Sequence, residues 1–575
     1  MKYKFGNLGY VLATAVAPLI IFGKKITVEA GSIRGFTAIT DKGVQIDFLS
    51  YYKLVALIIG AIILLLSVAG KIDLKKECTG IKSKYYIMGS VLLSLIFLSF
   101  IFSMDREISL LGISGRFEGF LAEISYMVIF LTGLSFLKNR NSREKILKII
   151  IGFSGVMFLI GIFQFFGFNI LETDFMSNVM TGFDVEKFGG LKYSFGKYAS
   201  YGTLSNPNYM GSYSIMLFFL GMGLYMSSKE RMKTIFFLGY TGLAFANLIG
   251  CHSRAGFLGF QGGVILFIIS MNREIQINWK KILVLSLVCI LIWSGMDIFS
   301  QKALGKKLGN ISKGVKTEVY GIEADGNQVR IDGVSSLKIK GSSEGLEFYD
   351  EIDRKIPVTE KDRFITLDKP GYEKYYLKRH KSIKDFYLLG SGENFNYQLY
   401  FIEGKFYTID HMDKITEIPA VKRIKFFDGY EKKGSSRIYI WSRTIPKIFE
   451  KPIFGHGQDT FPLVFPQNDF FGKKLSFGNK GILVDKSHNY FIQIALNNGI
   501  PALVLVGFLF LSYFYDSLKK IILKKDVFSI CIFLSIFSYF ITCFFNDSVV
   551  SVAPLFWTLL AIGISLNEES EKTEI

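Results

Sequence analysis

The chain has 575 residues, half of them hydrophobic and 15% aromatic, with 67 Lys and Arg against 49 Asp and Glu. A mean hydropathy of +0.34 excludes an ordinary water-soluble protein of this length and fits a helical protein with many membrane spans. The formal net charge of +18 does not call for nucleic acid, because the Lys and Arg cluster in short loops between apolar runs, where membrane orientation accounts for them.

A bilayer requires apolar stretches of about 17 to 25 residues. They fall near 7–23, 51–70, 85–103, 120–137, 147–168, 208–227, 234–252, 255–270, 282–299, 499–516, 527–545 and 548–566, which predicts about twelve transmembrane helices. The first has the length of a signal peptide but is followed by GKK and no small-residue cleavage site, so it is expected to be retained. Gly60, Gly152, Gly155 and Gly161 mark places where helices can approach closely. With a cytoplasmic amino terminus, the short connections at 71–84, 138–148, 229–233, 273–281 and 519–525 are basic and face inward. Lys24 and Lys25 fall on the opposite side and count against this topology. The long polar connections 24–50, 104–119, 169–207 and 300–487 then face outward, and the tail 567–575 lies in the cytoplasm. His252, His380, His411, His456 and His488 share the outer face.

Residues 1–299 are thus a membrane domain of nine helices, and 488–566 hold three more. Between them, the extracytoplasmic segment 300–487 contains short alternating stretches of β-branched and aromatic residues. They predict a small β-rich inserted domain at about 310–432, with hairpin turns at Asp325-Gly326 and Glu403-Gly404. Its aromatics Tyr349, Tyr375, Tyr376, Phe395 and Tyr397 can serve as core or as platforms for sugar rings. The five cysteines avoid residues 300–487, against both a disulfide framework and a cysteine metal site. There is no GxxxxGK[ST] loop, no HExxH and no Asp-x-Asp in a soluble α/β context, so neither a metal nor a nucleotide cofactor is expected.

The stretch 485–502, DKSHNYFIQIALNNGIPA, joins the polar segment to the membrane and carries His488, Asn489 and, after nine residues, Gly499. Arg254 in CHSRAG lies at the outer junction of the seventh and eighth spans, and Arg116 in GRFEG just before the fourth. Arg443 and Arg437 belong to RIYIWSR, within the segment 435–487. Taken singly, an arginine here can snorkel to head groups, and a lone histidine can cap a helix. Together on one face they point to an anion site near the membrane. Guanidinium binds phosphate oxygens bidentately and stays charged, and fixed cations stabilise a departing diphosphate. Histidine can take the proton of an attacking hydroxyl at neutral pH, with Asn489 orienting it or binding substrate. Glu118, Glu123 and Asp547 are alternative bases, or plain ion-pair partners for Arg116.

The segment SSRIYIWSRTIPKIFEKPIFGHGQDTFPLVFPQND, followed by DKSHNYFIQIALNNGIPA, resembles the signature region of the O-antigen ligase and polymerase superfamily. GTLSNPNYMGSY at 202–213 and SRAGFLG at 253–259 resemble it too, so that the likeness runs from about 110 to 560 without the β insert. The signature usually ends on Gly, Thr or Tyr, where this chain has Ala502. The resemblance implies a C-type, multi-span membrane glycosyltransferase working without metal or nucleotide. Its donor would be a glycan on an undecaprenyl diphosphate carrier, and its acceptor a lipid, glycan or protein. It gives His488, Arg254 and Arg443 the catalytic roles, and Arg116, Arg437, Asn489, Asn206 and Asn208 contacts to substrate. A polymerase of carrier-linked repeat units and a transporter for the lipid-linked glycan remain as alternatives.

Overall fold

The computed structural model describes residues 2–27, 44–68, 81–182, 195–204, 206–270, 272–305, 316–381, 383, 385–391, 395–524 and 526–571. The chain opens with α1, Lys2–Tyr10, prolonged by a wider turn over Val11–Val16 and a tighter one over Ala17–Leu19. Pro18 lacks the N–H needed to carry a helix further. A short hairpin of β1, Lys24–Thr27, and β2, Val44–Asp47, follows. The first membrane block then holds α2, Tyr51–Val68; α3, Ile81–Ile101; the short α4, Arg106–Leu111; α5, Phe120–Phe136; α6, Arg140–Phe165; and the short α7, Asp174–Thr181. The next holds α8, Pro207–Ser227; α9, Arg231–Gly250; α10, Arg254–Ser270; and α11, Asn272–Phe299.

Among the described residues, seven helical stretches are long and apolar enough to cross a membrane: α2, α3, α6, α8, α9, Ile277–Phe299 and Ile500–Ile521. Phe5–Leu19, Phe120–Phe136, Arg254–Ser270 and Val527–Cys543 are apolar but shorter. The expected count of twelve therefore has a helix at each place, and only seven of these meet the length and composition of a span.

The centre of the bundle is α8, buried along almost its whole length from Tyr209 to Met226. A helix apolar all round has no face for water or lipid. It packs on α9, α10 and α17 (Val527–Cys543). Glycine permits the closest of these contacts. A Cβ on Gly256 would lie 3.1 Å from the Gly211 Cα, and one on Gly259 2.7 Å from the Ser538 carbonyl oxygen. The small residues of SRAGFLG thus let α10 lie against the backbones of α8 and α17, which fixes the position of Arg254 at its start.

The inserted region is β-rich, as expected. Strands β3 (Val319–Asp325), β4 (Gln328–Gly333), β5 (Leu337–Ser342) and β6 (Gly345–Tyr349) form a four-stranded antiparallel meander. Strands β7 (Val358–Lys361), β8 (Phe364–Leu367), β9 (Tyr375–Arg379), β10 (Phe386–Ser391), β11 (Phe395–Ile402), β12 (Lys405–Ile409) and β13 (Ile415–Glu417) form a seven-stranded one. Both expected hairpin turns are present. Asp325 pairs with Gln328 around Gly326-Asn327, and Ile402 pairs with Lys405 around Glu403 and Gly404, which have φ of 50° and 78°. Tyr375, Phe395 and Tyr397 are buried in the insert's core, which withdraws them as platforms for sugar; Tyr349 and Tyr376 are half-buried.

The chain returns through α12 (Arg437–Ile448), the single turn α13 (Phe461–Val464), α14 (Phe470–Phe477), α15 (Tyr490–Asn498), α16 (Ile500–Lys524), α17 and α18 (Ala553–Glu571). Phe471 of α14 meets Phe395 and Tyr397 edge-on at 5.0 Å each, so the insert is seated on this segment.

At one end of the bundle, basic residues from two connections meet the last turns of α18. Lys82 and Lys138 pair with Glu568 at 2.7 and 3.1 Å, and Arg143 with Glu569 at 2.8 Å. The start of the expected free tail is therefore helical and tied down, because its carboxylates answer the Lys and Arg clusters; residues 572–575 lie outside the described residues.

Gly499 of the 485–502 stretch separates α15 from α16 with φ 88° and ψ 169°, a conformation essentially reserved for glycine. A Cβ there would lie 2.1 Å from the Ile453 carbonyl oxygen. Gly499→Ala is expected to cost about 1–3 kcal/mol from the backbone alone. Thermal unfolding of the purified variant in detergent checks this, and an unchanged midpoint would contradict it.

Candidate functional site

The opposite end of the bundle gathers the starts of four helices. Asn206 caps α8 through its side chain, which accepts from the Asn208 N–H at 2.8 Å, and Pro207 stands at the first position. Arg254 is the first residue of α10 and Arg437 the first of α12. Asn489 caps α15, its Oδ1 accepting from the N–H groups of Phe491 and Ile492 at 3.0 Å each. Its Nδ2 donates to the Phe544 carbonyl at 3.0 Å. Asn489 therefore ties the His488 loop to the end of α17, and Asn206 shapes the start of α8. The backbone carbonyl of Asn208 accepts from Asn546 Nδ2 at 3.3 Å.

The loop before α15 is built for rigidity. Trp441 Nε1 donates to the Ser487 carbonyl at 2.9 Å, Ser487 Oγ donates to the Asn489 carbonyl at 2.8 Å, and the Ser487 N–H donates to Gln493 Oε1 at 3.1 Å. His488 adopts φ 52°, a strained backbone that the surrounding bonds hold in place. Its ring is about one-third exposed, and Nδ1 stands 3.4 Å from Oδ2 of Asp547, whose carboxylate is buried. Neither Asp547 oxygen has a hydrogen-bond partner among the described residues. Burial alone would raise this carboxyl, but contact with His488 and the charges of His488, Lys486 and Arg116 outweigh it and hold Asp547 well below the usual carboxylate range.

Arg254 makes no hydrogen bond or ion pair to any described residue. Arg437 donates from Nη1 to the Gly434 carbonyl at 3.1 Å, and its buried Nε has no partner among the described residues. Burial pulls the Arg437 guanidinium below its ordinary value; Asp547 opposes this and the like charge of Arg254 adds to it. Arg254 and Arg437 each open a helix, where the dipole adds positive potential, and their like charges oppose each other, which an anion would relieve.

Asp547 links several of these groups: His488 Nδ1 lies 3.4 Å from it, its charge acts on Arg437 and on Lys486, and the charge of Arg254 acts on Arg437 in turn. Arg116 is near but spoken for. Its guanidinium pairs with Asp459 at 2.6 Å and donates to the Asp485 carbonyl at 2.9 Å, pinning the loop before α5 to the turn before α13 and to the His488 loop. Arg443 is not among them. It is buried, with Nε on Asp469 Oδ2 at 3.1 Å, Nη1 on Ser442 Oγ at 2.8 Å and Nη2 on the Tyr320 carbonyl at 3.2 Å, beneath the Tyr439 ring. Six residues beyond Arg437 on one helix, it projects to another side, where it joins the insert to α14. The sequence motif gives both arginines; only the helical phase tells them apart.

Glu118 and Glu123, the alternative bases, are also engaged. Glu118 is buried and accepts from the Tyr126 hydroxyl at 2.6 Å; Glu123 accepts from Asn498 Nδ2 at 2.9 Å. Residues missed from the sequence are Lys486, Asp459 and Asp469, together with Tyr209, whose hydroxyl accepts from Lys486 Nζ at 2.9 Å. Lys486 stands two positions before His488 and carries its own signal, a cation at alternate spacing in the same loop. Among the described residues no group of three or more His, Cys, Asp or Glu is placed to hold a metal ion.

Two outcomes follow from this geometry. Asp469→Ala leaves Arg443 buried without its carboxylate and is expected to destabilise the fold by about 3–5 kcal/mol; a midpoint of thermal unfolding equal to the parent's would contradict the structural role. Burial pushes Glu118 up to about 7 against the Tyr126 hydrogen bond that lowers it. Raised above its unfolded value, this carboxyl favours the folded state in its protonated form, so its contribution is full at low pH and is lost as pH rises toward 7. Between about pH 4.5 and 7 the parent should therefore lose stability relative to Glu118→Gln; parallel unfolding curves for the two would contradict this.

Residues 395–507 match the family model described as O-Antigen ligase. The match begins within β11, so it takes in the last strands of the insert, which the expected extent left outside, and it contains Arg437, Arg443, His488, Asn489 and Gly499. No curated protein and no solved structure matches the chain. The matched segment supports the O-antigen ligase and polymerase superfamily.

Proposed function

We propose that the protein is a membrane glycosyltransferase that moves a glycan from a polyprenyl diphosphate, of the undecaprenyl type, to an acceptor hydroxyl or amine. The site would lie on the outer face of the cell membrane, opposite the Lys- and Arg-rich end closed by Glu568 and Glu569. The observation that supports this reading is the His488–Asp547 pair at 3.4 Å, with the charges of Asp547 and Arg254 both acting on Arg437.

The chemistry then divides between two groups. With its Nδ1 side toward Asp547, His488 keeps Nε2 for the acceptor and takes its proton as the acceptor oxygen or nitrogen bonds to the anomeric carbon. The bond from that carbon to the diphosphate breaks, and its electron pair leaves with the diphosphate. Arg254 and Arg437 hold the charge that develops there. Asp547 orients the imidazole and stabilises its protonated form. Arg443 and Arg116 act as positioning residues that fix the insert and the loops around the site, and Asn489 holds His488 in place.

His488→Ala is expected to lower transfer about 10²–10⁴-fold, and Arg254→Ala or Arg437→Ala about 10²–10³-fold each. The check is transfer of labelled glycan from a carrier-linked donor by each purified variant that retains the parent's thermal unfolding. Full activity in the His488 and Arg254 variants would overturn the reading.

A further inference from the structure

The β insert carries a cleft that the transfer chemistry does not use. It has a volume of about 810 Å³ and lies where the two sheets meet. One wall is the β3–β4 turn and the β5–β6 hairpin; the other is the end of β9, the start of β10 and the β11–β12 turn. The walls are joined from within. The Phe401 ring lies on Gly341, where a Cβ would stand 2.2 Å from its Cε2, and the Phe406 N–H donates to the Gly326 carbonyl at 3.4 Å. Strand direction places the cleft well away from the helices of the chain's return. Tyr320, near the start of β3, accepts from Arg443, and Phe395, at the start of β11, meets Phe471, whereas the cleft lies at the opposite end of both strands. At the rise of a strand, that puts it roughly 20 Å from those contacts with α12 and α14.

The lining is of two kinds. Phe386 and Phe401 are half-buried and offer ring surface, and Phe386 is held by Tyr400 at 4.4 Å and His380 at 5.1 Å. Around them stand three carboxylates, Glu344, Asp385 and Glu403, whose side chains accept no hydrogen bond from the described residues. Arg379 supplies donors, one of them turned to Glu360 at 2.9 Å. Ring surface edged with acceptors and a donor suits a sugar, which presents a C–H face and a rim of hydroxyls that both donate and accept. Three carboxylates against one guanidinium repel polyanions, nucleic acid and acidic glycans among them. A hydrocarbon chain is excluded too, because it would strip these charges of water without pairing them.

We propose that this cleft between the two sheets is a binding site for a neutral glycan, separate from the transfer site. Sugar rings lie against Phe386 and Phe401, and their hydroxyls donate to Glu344, Asp385 and Glu403. The ligand class follows from the lining of the cleft itself, so the proposal goes beyond the glycosyl-transfer reading and stands or falls apart from it.

The test titrates the full chain in nanodiscs with tetramers of glucose, mannose, N-acetylglucosamine, galacturonic acid and lysine. At least one of the neutral sugar tetramers is expected to bind with a Kd of about 1 mM or tighter, and the galacturonic acid tetramer more weakly than that one. Asp385→Asn and Glu403→Gln each remove a charged acceptor and should weaken the bound sugar about 10-fold; Phe386→Ala should weaken it as well. Asparagine adopts the positive φ of Asp385, 58°, readily, so Asp385→Asn is expected to unfold at the parent's temperature. If it unfolds earlier, Glu344→Gln, at an exposed turn position, decides in its place. A parent that binds none of the neutral tetramers overturns the proposal and leaves the transfer site standing, as do Asp385→Asn and Glu344→Gln variants that bind the sugar as the parent does. Tighter binding of the galacturonic acid or the lysine tetramer than of every neutral sugar also overturns it, and assigns the cleft to an acidic glycan or to a cationic peptide.

Discussion

Positive charge concentrated in a small volume is the constraint around which this protein is built. Arg254 and Arg437 open helices, where the peptide dipoles add further positive potential, and the charges of Lys486 and Arg116 act on Asp547 nearby. Asp547 and Asp459 answer only part of it. Asp459 is committed to Arg116 at 2.6 Å, and Asp547, whose oxygens have no hydrogen-bond partner among the described residues, feels the charges of His488, Lys486 and Arg116. The arrangement is an incomplete charge balance, and an incomplete balance of this sign is what a polyanionic ligand completes.

Backbone contacts make that concentration sustainable. Gly256 against Gly211 and Gly259 against the Ser538 carbonyl bring α10 close to α8 and α17, so Arg254 cannot swing away from the mouth of the bundle. Gly499, in a conformation closed to other residues, lets the Ile453 carbonyl press against the junction of α15 and α16 and holds the His488 loop over the same mouth. Asn489 and Trp441 fasten that loop from below and from the side. On the other flank, the Arg443–Asp469 pair and Phe471 lock the β insert to the segment that presents Arg437. At the far end, Glu568 and Glu569 pair with Lys82, Lys138 and Arg143 and tie the last turns of α18 to the basic connections.

Much of this was legible in the residues themselves. Apolar runs gave a helix at each expected place, because burial in lipid and burial in protein demand the same composition; seven of the described helices have the length and composition of a span. The alternation of the insert and its turns at Gly326 and Gly404 were read correctly, since strand period and positive φ are local properties. Which aromatics became core was not local: Tyr375, Phe395 and Tyr397 are buried by sheet register and by Phe471. The same limit applied to RIYIWSR, where Arg437 opens the helix with its buried Nε unpartnered among the described residues and Arg443 is sealed against Asp469. Asn206 and Asn489, substrate contacts by resemblance, cap helices as well, a role that depends on where the helix begins. Lys486 escaped notice because a lysine in a loop is ordinary until its burial is known.

The most direct measurement is an experimental density for the full chain in a lipid bilayer with a polyprenyl diphosphate bound. The account predicts phosphate oxygens within hydrogen-bond distance of both Arg254 and Arg437, with the His488 ring beside them and Arg443 still enclosed by Asp469 and Tyr439. Diphosphate density at the Lys82–Glu568 end, or contacting Arg443 in place of Arg254 and Arg437, would contradict it.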